Sequence, residues 1–219
     1  LDYNQDPPQG IADAVFSPDR IDAGFVDRLL SKCTDHLSLL AAPATLDRVY
    51  DFGAEAFDSI IDTLRNSVPC IVLDVPHQWA GWTRRLLVSA DDILVVASPD
   101  LANLRNAKNM VDLLRVARPN DHRPYYCLNQ VGVPKRPEIT PADFAKALED
   151  QPLATIPFDP QLFGTAANNG QMIAEVSSSH KTAEMLRQLA QVLTGRAEAK
   201  RARSGLLTPL LAKLMKRSA

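Results

Sequence analysis

The chain has 219 residues, of which 46% are apolar and 23% charged, and its formal net charge is −2. That size and composition suit one α/β domain with a full core and a tail, and they exclude a wholly disordered chain. The charge gives no global attraction for nucleic acid or an anionic membrane, and no apolar run approaches the length of a membrane span.

The sequence opens Leu1-Asp2-Tyr3-Asn4-Gln5-Asp6-Pro7-Pro8 with no strand before it, so the expectation is a larger protein that begins upstream. A first strand is expected at about His36 to Ala42. A helix follows with Phe57, Ile60, Ile61 and Leu64 on one face. Cys70-Ile71-Val72-Leu73-Asp74-Val75 is apolar on both faces up to the aspartate, which suits a central parallel strand. A helix around Trp82 to Ser89 leads to a buried strand at Ile93 to Ala97. The next helix spans about Leu101 to Val116, its stripe made by Leu104, Ala107, Val111 and Leu114.

Tyr125 to Leu128 is the following strand. Thr140-Pro141-Ala142-Asp143 opens a short helix with an N-cap and a proline at the first position. Ala154 to Pro157 suits an edge strand, where proline is tolerated. A final helix covers about Lys181 to Leu193 and ends near Gly195. The β-α-β-α rhythm predicts a doubly wound, mainly parallel sheet with helices on both faces. Residues 1–195 form that domain. In residues 196–219 the composition changes to seven Lys/Arg and one acid, with Leu206, Leu207, Leu210, Leu211 and Leu214 at helical spacing. This basic amphipathic segment is a candidate membrane-surface contact through 204–217, or a packing or partner segment.

Cys70 and Cys127 lie in apolar runs and are expected to be buried free thiols in a reducing compartment, while Cys33 lies in a polar stretch. His36, His77, His122 and His180 have no zinc spacing, so no direct metal site is expected.

In doubly wound sheets ligands gather at the carboxyl ends of strands. Asp74 stands there, and a carboxylate in that place accepts hydrogen bonds from magnesium-bound water, or caps a helix or turn. Asn129 offers donor and acceptor to a purine edge, or closes its strand as an Asx turn. Ile156-Pro157-Phe158-Asp159-Pro160 makes a rigid wall beside a base, or simply a proline-shaped loop. Trp79 and Trp82 suit a partner surface or a helix anchor. The sequence contains no G-x-x-x-x-G-K-[ST] segment and no variant of it, so residues 1–219 provide no main-chain phosphate cradle of that kind.

Val72-Leu73-Asp74-Val75-Pro76-His77-Gln78-Trp79 resembles the second nucleotide switch of the CpaE/TadZ pilus-assembly branch of the MinD/ParA ATPases, which are P-loop NTPases with a deviant Walker A loop. Ser98 to Asn109, Leu128 to Ile139, Ile156 to Pro160 and Ala166 to Met172 resemble that branch as well. The five blocks span about Val72 to Leu193, and Leu1 to Val15 also fits. The resemblance implies that Asp74 is the Walker B aspartate acting through the magnesium water shell. It also implies that Asn129, Pro157, Phe158 and Asp159 form the adenine pocket, and that Pro76, His77 and Trp79 belong to the switch and partner surface. ATP and Mg2+ are the implied cofactors, bound in a longer parent protein, since the family's phosphate loop precedes the segment matched here. The implied partners are a second copy of the protein and components of a type IVb (Flp/Tad) pilus secretion machine, in the cytoplasm, at a pole or peripheral to the inner membrane. A non-catalytic polar-localisation scaffold and a ParA-type DNA partition ATPase are the competing functions. The net charge of −2 and the placing of the basic cluster in the tail disfavour DNA, and no sequence-specific nucleic acid is expected. Residues 1–219 alone are expected to lack ATPase activity.

Overall fold

The computed structural model describes residues 10–43 and 52–197. The amphipathic run 204–217 and the opening residues 1–9 lie outside the described residues. The first part is helical, with α1 (Ile11–Val15), a short 3-10 turn (Pro18–Arg20) and α2 (Ala23–Leu29). Asp22 starts α2 by accepting the Phe25 N–H at 2.6 Å, which satisfies one of the donors a helix start leaves unpaired. An antiparallel hairpin follows, β1 (Leu30–Thr34) and β2 (Leu37–Leu40). The strand expected at His36 to Ala42 is thus four residues long, and its partner is the local strand before it. The turn at Asp35-His36 is tight enough to pair them directly.

Helix α3 (Asp58–Arg65) buries Ile60 and Leu64 as its periodicity predicts. Cys70 to Val75 does not form a strand. Strand structure requires a hydrogen-bonded neighbour, and none pairs with this run among the described residues. Val72 is 88% exposed there, and Cys70 is also exposed, so the expected buried thiol is corrected. Ile71 alone of the run packs inward, beside Leu64 and Leu86.

Helix α4 (Gly81–Ser89) then leads to β3 (Leu94–Ala97), α5 (Leu101–Ala117), β4 (Tyr125–Val131), α6 (Pro141–Leu148) and β5 (Ala154–Pro157). The three strands form a parallel sheet in the order β3-β4-β5, which makes β5 an edge as its proline requires. The last helices are α7 (Pro160–Asn169), α8 (Ile173–Val176) and α9 (Lys181–Leu193).

Alternation along the strands divides the core. Val95, Ala97, Tyr126 and Leu128 face Ala107 and Leu114 of α5 and Phe144 and Leu148 of α6. Cys127, Ala154 and Ile156 face the other way, toward Phe163 of α7 and Met185, Leu186 and Leu189 of α9. Helices pack on both faces of this parallel sheet, with Val96 of β3 left 57% exposed, and this is the α/β architecture expected. Trp82 packs its ring 5.0 Å from that of Phe57 and anchors α4, whereas Trp79 remains 48% exposed.

Candidate functional site

The carboxyl ends of β3, β4 and β5 lie side by side because the strands are parallel and in register. Three loops leave this edge. In the first, Asp100 caps α5 by accepting the Asn103 backbone N–H at 2.8 Å through one oxygen and the Asn103 side-chain amide at 2.8 Å through the other. In the third, Asp159 caps α7 by accepting the Leu162 N–H at 2.9 Å. Each of these aspartates is committed to a helix start.

The middle loop carries Asn129. The ladder with β5 runs Leu128↔Thr155 and then Val131↔Pro157, so β4 has one extra residue over this stretch. This is a β-bulge, and Gln130 takes φ 55 within it. The bulge falls at Asn129-Gln130, just before β4 ends at Val131. Asn129 Oδ1 accepts the N–H of the next residue, Gln130, at 2.9 Å, one residue short of the bond of an Asx turn. Its Nδ2 has no partner among the described residues, which leaves two N–H donors for a ligand acceptor.

Hydrogen bonds between the loops fix the edge. Phe158 N–H donates to Val131 O at 2.8 Å, and Ile139 N–H donates to Pro99 O at 2.9 Å. Phe158 is 37% exposed and Pro157 is exposed. His180 Nδ1 accepts the Thr182 N–H at 3.2 Å at the start of α9, and its Nε2 lies 3.7 Å from Asp159 Oδ2. His180 thus stands between the loop that carries Asp159 and the start of α9.

Sequence reasoning missed the clamp that holds the middle loop. Glu138 accepts the Gly132 N–H at 2.9 Å and the Val133 N–H at 3.1 Å, and it pairs with the Arg136 guanidinium at 2.8 Å. Arg136 also donates to the Gln130 carbonyl. The Gly132 N–H and then the Arg136 side chain hold the Glu138 carboxyl below its ordinary value. Gly132 adopts φ 86, which only glycine takes without strain. The Gly132 and Glu138 spacing is the one trace of this clamp in the sequence.

The structure brings together Asn129, Pro157, Phe158 and Asp159. It does not bring Asp74, Pro76, His77 and Trp79 into a strand-end loop, because their segment has no ladder to fix it. Asp74 and His77 are exposed. Thr83 Oγ1 ties the end of that segment to α4 by donating to Gln78 O at 3.0 Å.

The chemistry of this edge fits a purine base better than a phosphate. Asn129 offers free donors and Phe158 an apolar face. The adjacent Gly132 and Val133 N–H pair, which would suit an anion, is already filled by Glu138. Among the described residues no three His, Cys, Asp or Glu side chains cluster as metal ligands. No helix among them is long and apolar enough to cross a membrane.

No protein-family model and no curated protein matches the chain. Solved structures do. A ParA family ATPase from Chlorobium tepidum superposes with a TM-score of 0.73 at 20% identity, over 88% of this chain and 78% of its own. The cell-division ATPase MinD from Pyrococcus furiosus gives a TM-score of 0.71 at 20% identity, over the same shares. MinD from Pyrococcus horikoshii, solved with Mg-ADP, gives 0.66 at 18% identity, over 86% of this chain and 80% of its own. At these identities the likeness is one of architecture, and the chain has the fold of the ParA and MinD ATPases.

Proposed function

We propose that residues 1–219 supply the base-binding part of a MinD/ParA-like ATPase that localises or assembles a type IVb (Flp/Tad) pilus secretion machine through ATP-dependent dimerisation. The observation that carries this reading is that Asn129, whose amide donors have no partner among the described residues, lies near the carboxyl end of β4, in the strand paired with the β5 end that leads into Phe158. Support for the nucleotide comes from the fold and from the Mg-ADP bound by one structural neighbour. The sequence blocks at Asp74 to Trp79 and Ser98 to Asn109 favour the pilus branch.

In this proposal Asn129 donates to a ring nitrogen of adenine, while Pro157 and Phe158 cover its face and exclude water. Asp159 and His180 hold that wall against α7 and α9. Asp74 orients magnesium-bound water, and Pro76, His77 and Trp79 form the nearby partner surface. Magnesium, when bound, supplies charge neutralisation at the phosphates.

The test is Mg-ATP binding and turnover by the polypeptide that contains these residues together with a phosphate loop, compared with its Asp74→Ala variant. Loss of the oriented carboxylate weakens magnesium-dependent binding or turnover by about 10- to 100-fold. Unchanged values in a folded variant refute the role of Asp74.

A further inference from the structure

We propose that Glu138, acting with Arg136, is a positioning residue for the base site: it joins the three loops of the carboxyl edge and so sets how tightly Asn129 and Phe158 hold adenine. This role rests on the base-binding function proposed for that edge.

The loop after β4 has neither helix nor strand until α6 begins at Pro141. Gln130 and Lys135 take φ 55 and φ 62, and Gly132 lies between them at φ 86. Left-handed backbone at two non-glycine residues persists only where surrounding contacts over-determine it. Here the contacts converge on one carboxylate. Glu138 accepts the Gly132 and Val133 N–H groups at 2.9 and 3.1 Å, and the Arg136 guanidinium donates to it at 2.8 Å. Arg136 donates in turn to the Gln130 carbonyl. The Glu138 side chain is 18% exposed and that of Arg136 27%, so water screens this pair less than an open surface pair.

The same carboxylate links the loops to one another. Beside it in the chain, the Ile139 N–H donates to the carbonyl of buried Pro99 at 2.9 Å, which fixes Glu138 to the loop after β3. Glu138 holds Gly132 and Val133, and the adjoining Val131 carbonyl accepts the Phe158 N–H at 2.8 Å from the loop after β5. The clamp also reaches Asn129. Its Oδ1 accepts the Gln130 N–H at 2.9 Å, and the carbonyl of Gln130 is the one that Arg136 holds. Rotation of the Asn129 side chain is thus tied to a residue that the clamp fixes, while its Nδ2 donors have no partner among the described residues. Neither Glu138 nor Arg136 has to touch the base for this. Their effect is preorganisation: with the carboxylate in place the edge is ordered before a ligand arrives, and without it the ligand must order the edge at a loss of affinity.

The test uses the isotope-labelled 219-residue chain. Neutral adenosine is the probe, because an Arg136 released from Glu138 would attract a phosphate on its own account. Without ligand, the pH is lowered from about 7 to about 3, and the Asn129 side-chain amide is followed beside the Gly132 and Val133 amides. The Asn129 resonances follow the same midpoint, below 4.5, and stay flat in Glu138→Gln. With adenosine at neutral pH, Glu138→Gln weakens binding by about fivefold, the worth of one ordinary hydrogen bond. Glu149→Gln is the control for an ion pair that only stabilises the fold, since Glu149 pairs with Arg115 and Arg123 at the amino end of β5, away from this edge. It leaves the adenosine affinity unchanged. An Asn129 amide that ignores the Glu138 titration, adenosine binding unaltered in Glu138→Gln, or an equal loss in Glu149→Gln each overturns the proposal and leaves the base-binding function standing. No adenosine response in the wild-type chain overturns the base-binding function, and the proposal with it.

Discussion

Leu114 and Val116 lie two residues apart on α5 and test which face of that helix holds the sheet in place. Leu114 is 1% exposed and packs among Val95, Leu128 and Phe144, whereas Val116 is 82% exposed. Leu114→Ala removes about three buried carbons, roughly 2.4 kcal/mol at about 0.8 kcal/mol each. The cavity left behind adds to this, and a total near 3–5 kcal/mol is expected. For a domain of this size that lowers Tm by about 10 °C, at 2–4 °C per kcal/mol. Val116→Ala stays within about 0.5 kcal/mol, since no packing is lost and alanine favours the helix. Urea unfolding followed by circular dichroism measures both, with an unchanged m-value confirming that only stability has moved. A loss below about 1 kcal/mol for Leu114→Ala, or equal losses for the two variants, refutes the assignment of α5 to the sheet face.

The clamp and the thiols give two further tests. Glu138 has its folded pKa held below the ordinary 4.5, so its contribution is complete above that value and is lost as pH falls through the lowered folded value. The Gly132 and Val133 amide resonances therefore titrate with a midpoint below 4.5, and in Glu138→Gln this titration is absent. Burial pushes the Cys127 thiol up to about 11, while Cys70 is exposed. At pH 8 iodoacetamide modifies Cys70 in the native chain and reaches Cys127 only after unfolding, as peptide mass mapping shows; rapid native labelling of Cys127 contradicts its place under α9.

Much of the second half was legible in the sequence because its punctuation is local. Thr140 and Pro141 start α6, and the stripe of Leu104, Ala107, Val111 and Leu114 fixes the inner face of α5. The Cys70–Val75 run misleads for the opposite reason: an apolar stretch states a preference, while a strand exists only with a neighbour to pair. The hairpin at β1 was missed because Leu30 to Thr34 mixes polar and apolar residues without clear alternation. At the site, Asn129 and Phe158 were marked by their place after apolar runs. The bulge at Asn129-Gln130 was invisible, since it depends on the register with β5. The Glu138 clamp was hidden for a similar reason, because it closes a loop whose shape is set by positive φ at Gln130, Gly132 and Lys135.

Titration of the isotope-labelled 219-residue chain with adenosine and, separately, guanosine tests the base site most directly. Without phosphates to hold, a dissociation constant in roughly the millimolar range is expected. Adenosine shifts the Asn129 side-chain amide and the Phe158 ring resonances in a saturable way, guanosine does so more weakly, and Asn129→Ala removes the adenosine response. Shifts confined to other surfaces, or an identical response in the Asn129→Ala chain, contradict a base site at the bulge.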